Sequence, residues 1–181
     1  GSTSVRLLRG ADSSIEAQVD SARQAVQADL EASQAGDDEL AQFLSELRLI
    51  KDDYEIGEVR RAIAITREGF DHIIDSLDEA VGHHRGERVI ETAFWKAART
   101  EGNNVGYETI AASGNNACTL HWTKNTGKVN PGDLLLVDAG AEADSLYTAD
   151  ITRTIPISGT FSDVQALSLI HISEPTRRTP I

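Results

Sequence analysis

Two aspartates at the ends of neighbouring strand-like runs are the residues of this sequence best suited to chemistry. Asp138 closes an apolar run that begins at Leu134, and Asp150 directly precedes the alternating run 151–155. Opposed residues of a hairpin have Cβ atoms about 4.5–5.5 Å apart, and the even separation of the two aspartates allows both to face one side. Close carboxylates share a proton or bind cations, and a carboxylate can bridge two metal ions. Spacing alone allows two interpretations: a metal site, or the commoner case of a turn-capping Asp138 and a solvated Asp150.

Four further side chains bear on that choice. Thr152 shares a strand face with Asp150, so it can hydrogen-bond a ligating carboxylate or a metal-bound water. His121 ends a β-rich segment, where a lone histidine is more often structural than functional, and Tyr107 is by default a packed aromatic residue. Cys118 is expected to be a small buried hydrophobic residue, because no partner histidine or second cysteine at suitable spacing would make it a nucleophile.

The composition favours a soluble globular protein that avoids polyanions. Charged residues make up 25% and hydrophobic residues 40% of 181 positions, with a net charge of −12. An acidic chain is poorly suited to nucleic acid or to an anionic membrane, and no apolar run approaches the roughly 18 residues of a membrane span. The single cysteine excludes an internal disulfide. We therefore expect a cytoplasmic protein with neither nucleic-acid nor membrane partners.

Helical periodicity dominates the first half of the chain and strand patterns the second half. Apolar residues spaced three or four apart predict helices over residues 12–36, 37–47, 53–81 and 87–100. Alternation and turn residues predict strands over residues 4–9, 107–111, 117–122, 133–139, 146–148 and 151–158. Helices followed by a mainly antiparallel sheet indicate the α+β class.

Both ends of the sequence carry features that we do not expect of a complete natural protein. The chain contains no methionine, which predicts an N-terminally incomplete fragment, although removal of an initiator methionine before Gly1 would explain the same absence. Residues Leu167–Arg177 are identical to the in-frame translation of a transposon-type sequencing adapter. We therefore expect the natural sequence to stop at about Ala166 and residues 167–181 to be an artefact tail.

The region around the two aspartates resembles a known family. DLLLVDAG at residues 133–140 and YTADITRTIPISGTFSDVQ at residues 147–165 resemble the signature of the aminopeptidase P and prolidase group of pita-bread metallopeptidases. Three upstream segments agree with it, at residues 48–55, 107–110 and 113–122. The resemblance implies that residues 46–166 are the N-terminal half of the catalytic domain. Residues 1–45 would then be the C-terminal remnant of the non-catalytic domain that precedes it.

The resemblance also implies roles for individual residues. Asp138 matches the first metal-ligating aspartate and Asp150 the second, which bridges two divalent ions, commonly manganese in bacterial members. His121 matches an active-site histidine that contacts the substrate and the reacting centre without ligating metal. Tyr107 matches an aromatic residue that lines the site and binds substrate, and Thr152 would lie behind the metal ligands. Such enzymes use a metal-activated water to hydrolyse the peptide bond before a proline at position two.

The sequence also departs from the family pattern. The remaining ligands of the family, one histidine and two glutamates, come from the second half of the catalytic domain, so this chain would supply two ligands of five. We therefore expect the chain itself to be inactive and to bind metal weakly. The complete protein would be a homo-oligomer that acts on proline-containing peptides. Two alternatives stay open: a prolidase that cleaves Xaa-Pro dipeptides, and a non-catalytic pita-bread relative that binds peptide or protein.

Overall fold

A computed structural model describes residues 5–167, which divide into two compact units between Asp53 and Tyr54. The helices are α1 (Ser13–Ala25), α2 (Leu30–Leu47), α3 (Asp53–Asp75), α4 (Leu77–Gly82) and α5 (Gly86–Glu101), with a 3₁₀ helix at Gly114–Cys118. The strands are β1 (Asn104–Val105), β2 (Ile110–Ser113), β3 (Leu134–Ala139), β4 (Ala141–Glu142) and β5 (Ile151–Pro156). None of the helices between residues 5 and 167 combines the length and the apolarity needed to cross a bilayer. The predicted artefact tail lies outside the described residues, apart from Leu167.

The first unit contains α1 and α2, and the chain turns between them at residues 26–29. The prediction of one helix over residues 12–36 was therefore wrong. Gln27 has a φ of 51°, which ends the first helix, and the Asp29 side chain accepts hydrogen bonds from the first backbone N–H groups of the second. An aspartate at the N-cap satisfies donors that a helix leaves free, so Asp29 starts a new helix where periodicity alone suggested continuation.

Asp37 lies inside α2 and is the centre of a buried ion-pair cluster. Its side chain, in a residue only 2% exposed, accepts hydrogen bonds from both terminal nitrogens of the Arg23 guanidinium at 2.9 and 2.7 Å. Arg9 Nε and the backbone N–H of Leu7 also donate to it. These contacts, led by Arg23, hold the pKa of the Asp37 carboxyl well below its usual range. The aspartate that sequence placed at a helix start is a buried ion-pair partner instead.

In the second unit, helices pack on small antiparallel sheets. One sheet has the strand order β2–β3–β5, and β1 pairs with β4 in the other. Ile90 and Phe94 of α5 share a buried core with Leu135 and Val137 of β3. A Cβ at Gly69 of α3 would lie 2.5 Å from a ring carbon of Phe94, so this glycine allows the two helices to approach closely. The prediction of the α+β class is confirmed.

Three element predictions in this unit were wrong. The helix predicted to reach residue 81 is interrupted at Ser76, whose hydroxyl donates to the backbone oxygen of His72. Residues 117–122 form no strand, because the 3₁₀ helix and a loop occupy them. In the segment 146–148 only Thr148 makes a β-bridge, while Leu146 has a φ of 67° in a tight turn that a strand cannot accommodate.

Candidate functional site

The pairing of β3 with β5 brings the two aspartates to one face of the sheet. Asp138 lies opposite Thr152 in the antiparallel register, and Ala139 lies opposite Ile151. Asp150 is two residues before Thr152, so its side chain shares that face with the Asp138 side chain. Asp138 is half-buried and Asp150 is exposed. The hairpin geometry expected from the even sequence spacing is therefore present.

Tyr107 links the two carboxylates. Its phenolic oxygen lies 2.6 Å from Oδ1 of Asp138 and 2.9 Å from Oδ1 of Asp150. Burial of the ring, followed by these two contacts, raises the pKa of the Tyr107 hydroxyl above its usual value. A phenol carries one proton, so it donates to one carboxylate at a time or shares its proton between them. Sequence reasoning predicted that Tyr107 lines the site and binds substrate, and it missed this contact with the two aspartates.

Gly140 explains why the hairpin closes so tightly behind the aspartates. A Cβ at this position would lie 1.6 Å from the backbone oxygen of Ala149 and 3.1 Å from a ring carbon of Tyr107. Real Cβ atoms do not approach a backbone oxygen so closely, so only glycine fits here. The glycine that follows Asp138-Ala139 thus lets the arm carrying Asp150 approach.

His121 lies at a cleft of about 450 Å³ that is also lined by the two aspartates and Tyr107. Glu108, Ile110 and Thr123 complete its described walls. The backbone of His121 has a φ of 52°, in the left-handed region that few non-glycine residues adopt. Such a conformation persists only where the surrounding structure holds it. The structure therefore brings four of the five predicted site residues to one cleft, with Thr152 beside Asp138 on the sheet.

Two other sequence-based expectations had different outcomes. Cys118 is exposed at the end of the 3₁₀ helix, so the prediction that it is buried was wrong. Glu87 received no role from the sequence beyond starting a helix, yet it is fully buried and accepts hydrogen bonds from the loop that carries His121. Its partners lie 26 to 40 residues further along the chain, so no local pattern could have identified it.

The donor set fits one part of a metal centre. Carboxylate oxygens are ligands that divalent ions such as Mg²⁺, Mn²⁺ and Zn²⁺ accept, and here both carboxylates reach a single oxygen atom of Tyr107. Between residues 5 and 167, no group of three or more His, Cys, Asp or Glu side chains is arranged to hold a metal ion. Asp138 and Asp150 are thus two convergent ligands rather than a complete coordination sphere.

Comparison with known proteins identifies the family of this arrangement. Residues 57–173, more than half of the chain, match the profile of metallopeptidase family M24. This chain belongs to metallopeptidase family M24. The aspartate hairpin, Tyr107 and His121 all lie inside the matched segment.

Curated relatives in this family carry names that specify an activity. Xaa-Pro aminopeptidase 1 of Streptomyces coelicolor is 49% identical over 161 residues, which is 89% of this chain and 30% of the relative. Xaa-Pro aminopeptidase 2 of the same organism is 50% identical over 160 residues, 88% of this chain and 31% of the relative. The chain therefore spans about a third of the length of the curated relatives it matches.

A solved M24 structure shows the same fold. Zinc-substituted Escherichia coli aminopeptidase P in complex with product superposes with a TM-score of 0.76 at 30% identity, covering 89% of this chain and 36% of that chain. The predicted pita-bread fold is confirmed for the part that this chain spans.

Proposed function

We propose that this chain carries the aspartate part of the catalytic centre of an Xaa-Pro aminopeptidase. Such a centre hydrolyses the peptide bond before a proline at position two. The observation that carries the proposal is the convergence of Asp138 and Asp150 on the Tyr107 hydroxyl, in a cleft that His121 also lines. The names of relatives 49–50% identical to the chain support the aminopeptidase activity.

Asp138 and Asp150 would hold divalent metal, with Asp150 as the bridge between two ions and manganese as the expected metal. When bound, the ions supply positive charge that activates a water and polarises the scissile carbonyl. Tyr107 keeps both carboxylates directed at one point, because its hydroxyl lies within hydrogen-bonding distance of both. Thr152 lies opposite Asp138 and is suited to support that carboxylate from behind.

His121 is the substrate-contacting residue of the proposal. It is exposed and lines the same cleft as the aspartates, so a bound peptide would lie within reach of both the imidazole and the carboxylates. An imidazole can hydrogen-bond the substrate and move a proton near neutral pH. The cleft is open and partly apolar at Ile110, which suits a proline ring.

The 181-residue chain by itself is proposed to be inactive. Two carboxylates leave a divalent ion short of the four or more ligands it takes in protein sites. The remaining ligands of the family, a histidine and two glutamates, would have to come from further polypeptide. The lone cysteine supports a reducing compartment, for which we propose the cytoplasm.

A chimera tests the proposal directly. The matched 161 residues of this chain replace the corresponding segment of Xaa-Pro aminopeptidase 1 from Streptomyces coelicolor, whose own sequence supplies the rest. We expect manganese-dependent release of the first residue from Xaa-Pro-containing tripeptides, and none from matched Xaa-Ala tripeptides. Asp138→Asn and Asp150→Asn should each lower the rate by more than about 100-fold, the upper limit for loss of an outer-shell partner.

The same experiment separates the alternatives. Cleavage of Xaa-Pro dipeptides without cleavage of longer peptides would indicate a prolidase. A folded chimera that binds proline peptides without hydrolysing them would indicate a non-catalytic relative. Hydrolysis by the 181-residue chain alone, abolished by Asp150→Asn, would contradict the proposed inactivity.

A further inference from the structure

Glu87 is a buried carboxylate that the proposed chemistry does not use. It lies in the first turn of α5 and is 0% exposed. Its Oε1 accepts hydrogen bonds from the Ser113 backbone N–H at 2.9 Å and the Asn116 amide at 2.8 Å. Its Oε2 accepts from the Trp122 indole N–H at 2.9 Å and the Gly127 backbone N–H at 2.6 Å. A buried acidic group is unfavourable without such partners, so these donors define its place.

Three of the four donors belong to one loop, and the fourth is Ser113, the residue just before it. We call residues 114–127 the His121 loop. Glu87 takes donors from the start of this loop, from Trp122 in its middle and from Gly127 at its end, and its own backbone N–H donates to the Gly127 oxygen at 3.2 Å. Trp122 directly follows His121, so the anchored indole fixes the residue beside the imidazole. One side chain of α5 therefore holds the loop at three points.

Gly127 provides the room for this contact. A Cβ on Gly127 would lie 2.7 Å from Oε1 of Glu87 and 2.4 Å from the amide nitrogen of Asn116. These distances are too short for any side chain, so a larger residue at 127 would displace Glu87 or its partner. Loop and helix are fitted to each other at this point.

Asn125 holds the other side of the same loop. It is 0% exposed and has a φ of 47°, which asparagine tolerates better than most residues. Its side-chain oxygen accepts from the Ala111 backbone N–H at 3.0 Å, and its nitrogen donates to the Thr109 backbone oxygen at 2.8 Å. The intervening Ile110 lines the cleft that contains the aspartates. The loop is thereby fixed relative to the strand that carries Ile110 in the cleft wall.

We propose that Glu87 is a positioning residue for His121. By accepting all four donors it holds the His121 loop in the conformation in which His121 keeps its left-handed backbone and lines the cleft. The inference rests on the proposed function only for what His121 does with substrate. Glu87 acts at a distance through Trp122 and Gly127 and touches neither substrate nor metal.

The test uses the 181-residue chain and nuclear magnetic resonance. In the wild-type chain the Gly127 amide and the Trp122 indole proton should exchange with water more than about tenfold more slowly than exposed loop amides. Glu87→Gln keeps the size of the side chain. The glutamine oxygen can accept hydrogen bonds from only two of the four donors, while the glutamine NH₂ group faces the other two. We expect the His121 imidazole signal to shift or broaden and the Gly127 amide to exchange about tenfold faster or more. The His83 and His84 signals should stay in place.

Two further variants make the result decisive. Thr66→Val removes a buried hydrogen bond to the Ala141 backbone N–H, away from the loop, and controls for general destabilisation. Gly127→Ala displaces Glu87 or its partner Asn116 without changing any charge and should reproduce the His121 change. The inference is overturned if Glu87→Gln leaves the His121 signal unchanged, or if Thr66→Val moves it equally. Rapid exchange of the Gly127 amide in the wild-type chain would overturn it without any variant.

The chimera with Xaa-Pro aminopeptidase 1 extends the test to activity. Glu87→Gln should lower kcat/KM for an Xaa-Pro tripeptide by about tenfold, as expected for a displaced positioning group, with metal content unchanged. An inactive wild-type chimera would refute the proposed function and leave the resonance result standing. An active chimera that Glu87→Gln leaves at full rate would refute the positioning role alone.

Discussion

The Tyr107 hydroxyl lies 2.6 Å from Asp138 Oδ1 and 2.9 Å from Asp150 Oδ1, across 31 and 43 residues of sequence. Like charges on neighbouring strands repel, and a donor placed between them offsets part of that repulsion. The arrangement of the two carboxylates therefore depends on Tyr107. The position of the Tyr107 ring depends in turn on the absence of a side chain at Gly140.

Tyr107→Phe should weaken divalent-metal binding by the chain about 10- to 100-fold, the usual effect of losing an outer-shell partner of a metal ligand. Isothermal titration with Mn²⁺ and with Zn²⁺ measures this change. Tyr147→Phe is the matched control, because Tyr147 also donates to a carboxylate, that of Glu55, in the same unit. An unchanged affinity in Tyr107→Phe would show that the hydroxyl does not orient the ligands.

Asp150→Asn should slightly stabilise the metal-free chain while removing its stabilisation by metal. Removing one of two like charges relieves a repulsion, so we expect Tm to rise by about 1–4 °C in the presence of a chelator. Thermal unfolding with chelator and with added Mn²⁺ measures both effects. Asp144→Asn, an exposed aspartate of the same hairpin, should leave the response to metal intact. A fall in the chelator Tm of Asp150→Asn would mean that the carboxylate is structural.

Gly140→Ala should destabilise the second unit by at least about 1–3 kcal/mol, because the added Cβ meets backbone that must shift. Displacement of the Ala149 segment should also move Asp150 and weaken metal binding. Gly132→Ala is the matched control, since nothing lies within 4 Å of its Cβ, and it should stay within about 0.5 kcal/mol of wild type. Urea unfolding of both variants, followed by metal titration, provides the comparison.

The first unit should lose stability in acid through Asp37. Its pKa is lowered in the folded state, chiefly by the Arg23 guanidinium, so its contribution is fully present above the unfolded pKa of about 3.9 and is lost as pH falls below that value. The other charged groups that face the cluster are Arg9, Glu16 and Asp20. We expect amide signals of residues 5–53 to lose dispersion below about pH 4 before those of the second unit.

Asp37→Asn should remove most of this acid dependence and destabilise the first unit at neutral pH, because Arg23 loses its buried partner. The neighbouring Asp38→Asn is the control, since Asp38 is exposed and contacts only the Gln34 amide among the side chains of the described hydrogen bonds. Equal acid sensitivity in wild type and Asp37→Asn would place the titrating group elsewhere.

Sequence patterns predicted the features of the fold that depend on residues close together in the chain. The aspartate hairpin was predictable because the apolar strand residues and the Asp138-Ala139-Gly140 sequence at the end of β3 lie within a few residues of each other. The α+β class followed from the order of helical and alternating segments, and the family resemblance supplied the fold. The roles given to Asp138, Asp150 and His121 remain predictions that the experiments above test.

The rest depended on contacts between distant residues. Residues 117–122 have β-forming composition, yet they form the 3₁₀ helix and a loop. The Glu87 carboxylate accepts hydrogen bonds from Asn116, just before this segment, and from Trp122 at its end. The sequence around Asp37 is typical of a helix N-cap, yet Asp37 lies within α2 and forms a buried ion pair with Arg23. In both cases a charged side chain, buried by partners far away in sequence, overrode the local preference.

Glu87 and Asn125, which hold the His121 loop, also determine at which edge of the sheet a further strand can be added. Glu87 and Asn125 satisfy backbone groups of Thr109, Ala111 and Ser113, which occupy the outer side of β2. A strand edge whose hydrogen bonds are taken by side chains cannot serve as a template for another chain. Within the described residues β5 is the other outer strand of this sheet, with no strand beyond it. Any added strand, from further polypeptide or from a neighbouring molecule, is thereby directed to the β5 side.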